Sequence, residues 1–569
     1  MLGWARPYQR RLLAGDVSAG VIVAMMMVPQ AMAYAMVAGL PPVVGLYASI
    51  VPPLLYALFG TSMTQSVGPM AIISLMTASS LAPLAVPGSA LYGVLAAQLA
   101  LMSGGLLLLC AVARVGFLAN FFSRPVMSGF TLGSALLIAW GQLAALLGTG
   151  APHALPIVPM VSSFAGLSVH PASAAFGILS ALALLWARRS LASLLRRAGL
   201  APGAASIGAR LAPMLVVVVA SAVVALAPGL AAGVATIGAV PAGLPTLNLA
   251  TASSYWSALL QPALLIGFMI FLISMSSAQA LAQAGGRAGD EPAPAPVKPA
   301  ANLELLGLGV ANIGSALSGG LPVTGSMSRG AVNHAAGANT PLASIISAAL
   351  LALALVAPTG YLALVPMPTL AATIIVAVLG MLELETLRTA LRYDRSDALA
   401  LAGTAGGVLV AGVEAGVVIG VLLSMGTLIW RASRPHIAVL GRIAGSEHFR
   451  NVERYPGGTA PSVLLLRVDA FLFFGNIDAV SARIDDELAA RPGLRHLVLV
   501  LSAVNAIDTS ALFGLADINR QLAARGVLLH LAEVKGPVMD RLKAVKLLES
   551  ISGNVYLSTA NAWDALTKA

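Results

Sequence analysis

Three long stretches of the chain contain no charged side chain. Residues 17–113, 125–187 and 211–286 lack Asp, Glu, Lys and Arg altogether. Each stretch exceeds the roughly 20 apolar residues that a helix needs to cross a bilayer core. Only 9% of the 569 residues are charged and 58% are hydrophobic, whereas soluble proteins carry about 25% charged residues. The runs are continuously apolar and do not alternate, so they predict membrane-spanning helices and not a β-barrel.

The membrane region, from about residue 12 to residue 432, divides into two sets of seven predicted spans. We predict repeat 1 over about 12–228 and repeat 2 over about 257–431. Most of the chain is therefore expected to lie in the lipid bilayer. The predicted spans lie near 16–38, 43–58, 67–83, 90–112, 125–147, 172–187, 210–227, 257–283, 302–319, 326–338, 341–357, 368–381, 397–411 and 414–430.

The basic residues of the connectors are asymmetrically distributed. Because cytoplasmic connectors carry an excess of Lys and Arg, the distribution predicts cytoplasmic N- and C-termini. We expect a multi-pass protein of the bacterial inner (plasma) membrane. The same bias accounts for the net charge of +10, so nucleic acid is not an expected partner. The basic connectors are 112–125, 187–210, 283–302 and 382–397, and the predicted outside connectors 83–90, 147–172, 227–257 and 357–368 have no Lys or Arg.

The composition changes near residue 433, and residues 433–569 predict a cytoplasmic α/β domain. Short apolar, β-branched runs alternate there with amphipathic stretches, which is typical of buried strands between helices. The predicted strands are 463–468, 496–501 and 527–532, and the amphipathic stretches are 476–492 and 508–525.

Two spans are interrupted by Gly, Pro and hydroxyl residues. GTSMTQSVGP (60–69) precedes the third span of repeat 1, and SGGLPVTGSMSRG (318–330) precedes the third span of repeat 2. Interrupted helices at matching positions of two repeats indicate a transporter binding site at mid-membrane. Half-helix N-termini present unpaired N–H groups and partial positive charge, and therefore attract an anion.

Arg329 is the only charged residue between Glu304 and Glu383. An arginine inside a membrane usually faces a cavity or a partner, although it also reaches an interface in some proteins or braces a loop. We expect Arg329 to attract the anion, with hydroxyl donors from Ser66 and Ser328. Gly68 would let the anion approach the backbone closely.

Gln30 and Tyr34 of the first span share a helix face, because they are four residues apart. Pro29 loosens the helix beside them. The two side chains either line the same cavity or form hydrogen bonds between helices.

The segments VPQAMAYAMVAGLPPVVGLYASIVPPLLYALFGTS (28–62), SVGP (66–69) and GSMSRGAVNHAAGANTPLA (325–343) resemble the sulfate permease (SulP) family of anion transporters, also called solute carrier family 26. The soluble domain resembles its STAS domain, with IDTSALFGL (507–515) at the signature loop. The resemblance implies a 7+7 inverted repeat like that of uracil permeases, in which a core moves against a gate in an elevator-like way. It also implies a homodimer.

The resemblance places the anion site on the first, third and tenth spans. Together with the residues argued above, the predicted substrate is a small inorganic or carboxylate anion such as sulfate, bicarbonate, chloride or a dicarboxylate. The predicted binding residues are Gln30, Tyr34, Ser66, Gly68, Pro69, Met70, Ala71, Met327, Ser328 and Arg329.

Ile273 departs from the pattern of related coupled carriers. The resemblance implies an acidic coupling residue in the eighth span, but this chain reads Phe-Leu-Ile-Ser-Met-Ser over 271–276. An apolar side chain neither accepts a proton nor binds sodium. We therefore expect exchange or uniport. The alternative is a sodium- or proton-coupled symporter, such as a bicarbonate or sulfate importer.

Ser510 of the STAS-like domain lies where related bacterial regulators of this fold are phosphorylated, although hydroxyls at that position also cap helices. We expect a regulatory contact with a cytoplasmic partner there. A third hypothesis is that the membrane part only anchors or senses for this domain. No P-loop, zinc-ligand spacing or catalytic triad occurs, so neither an enzyme nor a metal or other cofactor is expected.

Overall fold

The computed structural model describes residues 8, 10–117, 123–149, 169–247, 251–285, 299–357, 359–382 and 384–568. The chain divides into two compact units, Met1–Ser424 and Met425–Ala569. The predicted domain boundary at 432/433 stays a prediction. Large parts of the predicted connectors 147–172 and 283–302 lie outside the described residues.

Each of the fourteen predicted spans contains at least one helix. By length and hydropathy, seven described helices suffice to cross a membrane, or eight if the pair Pro202–Arg210 and Ala212–Leu226, bent by 49°, counts as one span. Four of the remaining spans contain shorter apolar helices, Ala71–Leu81, Ala301–Leu317, Leu342–Val356 and Met367–Leu379. The helices of the first repeat are α1 Leu13–Val37, α2 Pro42–Tyr47, α3 Val51–Phe59, α4 Ala71–Leu81, α5 Ala90–Val112, α6 Arg124–Gly141, α7 Leu143–Leu147, α8 Pro171–Trp186, α9 Ala192–Arg197, α10 Pro202–Arg210 and α11 Ala212–Leu226.

The second repeat, too, has a short helix after its interrupted segment. Its helices are α12 Trp256–Gly285, α13 Ala301–Leu317, α14 Met327–Ala335, α15 Leu342–Val356, α16 Gly360–Ala363, α17 Met367–Leu379, α18 Leu384–Tyr393, α19 Arg395–Ala411 and α20 Val413–Ala432.

The membrane helices form two packed groups. In the first group, α1 packs on α15, and α13 packs on both α3 and α5. In the second group, α6 packs on α19, and α17 packs on α6 and α8. The long helix α12 belongs to the first group because it packs on α5, and the short helices α4 and α14 belong to it because both lie against α1 and α12.

The two interrupted spans contain strands as well as short helices. β1 (Ser66–Gly68) precedes α4, and β2 (Thr324–Ser326) precedes α14. The third span was predicted to begin at residue 67, but its helix begins at Ala71 because the strand and Pro69 come first. The strand backbone leaves N–H and C=O groups that a helix would pair internally, and the two strands pair with each other instead.

The second unit contains a six-stranded sheet in the order β4-β3-β5-β6-β7-β8. β5, β6, β7 and β8 are parallel, and β3 joins β5 antiparallel. The three predicted strands are confirmed to within one residue. The elements are β3 Ile437–Arg442, β4 Phe449–Asn451, β5 Val463–Val468, α21 Ile477–Ala490, β6 His496–Val500, α22 Thr509–Ala524, β7 Leu528–Ala532, α23 Gly536–Ala544, α24 Leu547–Ser550, β8 Val555–Tyr556 and α25 Thr559–Thr567.

Candidate functional site

A short antiparallel ladder brings the two broken spans together. Ser66 pairs with Ser326, Val67 with Gly325, and Gly68 with Thr324. All six residues are buried. Because the ladder is antiparallel, α4 begins beyond its Gly68 end and α14 begins beyond its Ser326 end, so the two half-helices start at opposite ends of one three-residue ladder.

Arg329 lies in the first turn of α14 and is only 2% exposed. Its Nη1 donates a hydrogen bond of 2.7 Å to the carbonyl oxygen of Pro69. Among the described residues, nothing accepts a hydrogen bond from its Nε or Nη2. Burying a cation with unpaired donors is costly, and a bound anion would remove that cost. The sequence interpretation missed Pro69 as a partner, because a backbone carbonyl has no residue-type signal.

The two half-helices begin differently. Ser326 caps α14, because its Oγ accepts a hydrogen bond from Arg329 N at 3.5 Å. No side chain caps α4, whose N-cap residue Met70 is extended. The first N–H groups of α4, beginning with that of Ala71, therefore lack an intrahelical acceptor. These free donors suit an anion.

The residues around the half-helix starts differ in exposure. Pro69, Met70 and Ala71 are buried, whereas Met327 is 41% exposed. Ser328 is also exposed, and its Oγ lies 3.1 Å from Ser326 Oγ. Of the predicted residues of α14, Arg329 is therefore buried, whereas Met327 and Ser328 are exposed.

Gly68 borders the guanidinium of Arg329. A Cβ added at Gly68 would lie 3.5 Å from Arg329 Nη2 and 3.0 Å from Met27 Cε. The second distance is tighter than ordinary van der Waals contact, so only glycine fits here without displacing a neighbour.

Of the two predicted residues of α1, Tyr34 lies near Arg329. Tyr34 is 8% exposed and is close enough to Arg329 to interact electrostatically with it. Gln30 is half-buried. The hydroxyl of Ser66 faces Met27 Sδ at 3.9 Å. Ser66 was expected to donate to the anion, but in this conformation its only described acceptor is that thioether.

Ile273 lies on α12 and is 7% exposed within the apolar core. The next residue, Ser274, accepts a hydrogen bond from Gln65 Nε2. Thr324 Oγ1 donates to Ile270 O at 3.0 Å, which holds α12 against β2. The position at which the resemblance implied an acid therefore carries an apolar side chain, and its neighbours on α12 contact Gln65 and Thr324.

Two buried carboxylates fasten the segments that flank the broken spans. Glu304, fully buried in the first turn of α13, accepts hydrogen bonds from Tyr56 Oη at 2.8 Å, Thr61 N at 2.9 Å and Thr61 Oγ1. Asp16, also fully buried, accepts from Asn339 N at 2.8 Å and from Thr340 Oγ1 at 2.6 Å. Sequence reasoning missed both contacts, because each joins segments that are far apart in the chain.

The second unit has a capped helix at the predicted regulatory position. Asp508 Oδ1 accepts from Ala511 N at 2.7 Å, and Asp508 Oδ2 accepts from Phe474 N at 3.0 Å. Asp508 therefore caps α22, and Ser510 is exposed. Among the described residues, no group of three His, Cys, Asp or Glu side chains could hold a metal ion.

Two broken helices that meet at a buried arginine, inside an apolar bundle, define a polytopic membrane protein with a central anion-attracting site. Residues 13–404 match the model of the sulfate permease family, and residues 458–562 match that of the STAS domain. The chain belongs to the sulfate permease family, whose members are transporters.

Known relatives match along nearly their whole length. The probable sulfate transporter MT1781 of Mycobacterium tuberculosis (strain CDC 1551 / Oshkosh) is 36% identical over 577 residues, covering 100% of this chain and 98% of that protein. High affinity sulfate transporter 1 of Stylosanthes hamata is 30% identical over 582 residues, covering 99% and 85%.

A solved structure has the same fold. Murine Solute Carrier 26 family member A9, described as an anion transporter in the inward-facing state, aligns with a TM-score of 0.85 at 20% identity. The alignment covers 100% of this chain and 93% of that chain. The predicted fold class, fourteen spans in a 7+7 arrangement followed by a STAS domain, is confirmed.

Proposed function

We propose that the protein is a secondary transporter that carries a small inorganic anion of the sulfate class. The observation that carries this proposal is the buried guanidinium of Arg329 between two half-helix N-termini, where its Nε and Nη2 have no acceptor among the described residues. The sulfate transporters among the relatives support sulfate as the first anion to test. The proposed binding residues are Gln30, Tyr34, Ser66, Gly68, Pro69, Met70, Ala71, Met327, Ser328 and Arg329.

The packing of the helices into two groups supports elevator-like alternating access. The first group contains both half-helices and the ladder, so a bound anion would move with it against the second group. In this proposal the protein is a homodimer in the bacterial inner membrane with both termini in the cytoplasm. The transport domain ends near residue 432, and the domain after it meets a cytoplasmic regulator near the exposed Ser510.

The apolar environment of Ile273 supports exchange or uniport over proton or sodium symport. Neither a proton nor a sodium ion binds an isoleucine side chain, and this residue is packed within the core. Substituting Ile273→Glu would restore a carboxylate at that position. We expect the variant to acquire a dependence on pH or sodium that the wild type lacks. If wild-type uptake already requires a proton or sodium gradient, the protein is a symporter and the proposed coupling is wrong.

The central test is uptake of labelled sulfate by purified protein in proteoliposomes. We expect Arg329→Ala to abolish uptake, and Arg196→Ala, which removes an exposed arginine, to leave uptake unchanged. Chloride, bicarbonate and a dicarboxylate added outside as competitors identify the preferred anion. The same anions loaded inside distinguish exchange from uniport, because only exchange requires an anion inside. Undiminished uptake by Arg329→Ala would remove Arg329 from the site. A wild type that moves none of these anions would contradict the proposed function.

A further inference from the structure

Met27 of α1 lies beside the anion site, although no sequence motif singled it out. Its side chain is 2% exposed. Met27 Sδ is 3.9 Å from Ser66 Oγ on β1 and 3.8 Å from Ser347 Oγ on α15. Both hydroxyls are placed to donate to the sulfur, so one thioether joins the first span to elements of both repeats.

The methyl group of Met27 reaches the space in front of Gly68. A Cβ added at Gly68 would lie 3.0 Å from Met27 Cε, 3.5 Å from Arg329 Nη2 and 3.8 Å from Ser49 Oγ. The methyl group and the free Nη2 of the guanidinium therefore face the same point. An anion that accepts a hydrogen bond from Nη2 on this side would meet the end of the Met27 side chain next.

The chemistry of a thioether suits this position. A thioether is a weak acceptor without charge. It can therefore accept hydrogen bonds from the two hydroxyls without adding a negative group that would repel an anion. Its methyl group is apolar and offers the anion no hydrogen bond. Met27 therefore contributes volume and not affinity to this side of the site.

We propose that Met27 sets the size of the anion that binds beside Arg329, and this inference rests on the proposed function. A shorter side chain at this position would open space next to Nη2. Pockets distinguish ligands that differ by one methylene group about 10- to 200-fold. Met27 is thus a specificity-determining residue of the site.

The test compares two variants that separate volume from hydrogen bonding. Met27→Ala removes the side chain, whereas Met27→Leu keeps a similar volume and removes only the acceptor. Uptake of labelled sulfate is measured in proteoliposomes with unlabelled sulfate or molybdate as competitor. Molybdate is the larger tetrahedral dianion of the same charge. The readout is the ratio of the two half-inhibitory concentrations, molybdate over sulfate.

We expect this ratio to fall by about tenfold in Met27→Ala and to stay at the wild-type value in Met27→Leu. A ratio that is unchanged in Met27→Ala, or that falls equally in Met27→Leu, would overturn the inference. If Met27→Ala is not recovered as a folded protein, Met27→Val must lower the ratio by a smaller factor, and an unchanged ratio there overturns the inference as well. Failure of the proposed function is a separate result, because the wild type would then take up no sulfate.

Discussion

The Nη1 group of Arg329 lies 2.7 Å from the carbonyl oxygen of Pro69, so an arginine of the second repeat is bonded to the backbone of the first. This contact fixes one edge of the guanidinium, and no described residue accepts a hydrogen bond from Nε or Nη2. Lysine could not reproduce it, because a single ammonium group lacks the planar fork that bonds a carbonyl and an anion together. The same hydrogen bond ties the starts of the two half-helices to each other.

The first prediction concerns the space in front of Gly68. Gly68→Ala places a methyl group 3.0 Å from Met27 Cε and 3.5 Å from Arg329 Nη2. We expect sulfate uptake to fall about tenfold, because the guanidinium or Met27 must shift, and tenfold corresponds to about 1.4 kcal/mol. Gly93→Ala is the matched control, since a Cβ there meets nothing within 4 Å. Equal uptake by the two variants would show that Gly68 does not border the site.

The second prediction concerns the buried carboxylate of Glu304. Glu304→Gln keeps the shape but removes the charge that three donors share, so we expect a stability loss of about 1–3 kcal/mol. Thermal unfolding of the purified full chain measures this loss as a lower midpoint. Glu385→Gln removes an exposed carboxylate and provides the control. Identical midpoints for the two variants would contradict the prediction.

The third prediction concerns a hydrogen bond between α4 and α20. The helix α20 belongs to the second group, because its Gly420 lies against Val126 of α6 and Thr404 of α19. Ser80 Oγ, at the end of α4, donates to Glu414 Oε1 at 2.5 Å in the first turn of α20. Movement of the half-helix group against the other group would break this bond. We therefore expect Ser80→Ala and Glu414→Leu, each of which removes this bond, to favour a conformation in which the side that we propose to be extracellular is open.

A single cysteine at Ser79, in a Cys110→Ala background, reports this opening through labelling by a membrane-impermeant thiol reagent. We expect each variant to raise the labelling rate severalfold. The double variant should add little, because both changes remove the same bond. Additive effects, or none, would show that the bond does not hold this conformation.

The fourth prediction concerns His530 of the second unit. Burial, and then the nearby His496, lower the pKa of His530 from 6.5 to about 4. Its Nδ1 accepts a hydrogen bond from Asn554 N at 2.9 Å, so the folded state holds the neutral ring. Because the unfolded chain binds the proton first, stability is full above pH 6.5 and falls as the pH drops toward 4.

Hydrogen exchange of residues 528–532 in the full chain, corrected for intrinsic rates, measures this loss between pH 7 and pH 5. We expect protection to fall over that interval in the wild type and to change less in His530→Gln, which keeps an acceptor and does not titrate. The same loss in both proteins would assign it to other groups.

The sequence predicted the elements of this fold better than their contacts. Uncharged runs mark the spans, and Gly, Pro and hydroxyl residues mark the two interruptions, because these properties are local. The position of Arg329 was predictable for the same reason. Its bond to Pro69 was not, since the acceptor is a backbone atom 260 positions away. The thioether that accepts from Ser66 also lacks a sequence signal, because most buried methionines only fill space.

In the second unit, too, some features were predictable from the sequence and others were not. Three strands were predicted from apolar, β-branched runs. Three others were missed: β4 and β8 are too short to produce such a pattern, and β3 was missed although it has six residues. Hydroxyl groups were considered as an alternative cap for α22, but Asp508 provides the cap. Aspartate is as good an N-cap as serine, so composition could not distinguish them.

The ladder between β1 and β2 has a thermodynamic consequence for transport. Because the strands, both half-helix starts and Arg329 are bonded together, the site would move as a rigid unit. It would offer the anion the same binding groups on either face of the membrane. An anion would then be held with similar strength whichever compartment it came from. The direction of net flow would be set by the concentrations and the voltage outside the protein, and the carrier would run equally well in reverse.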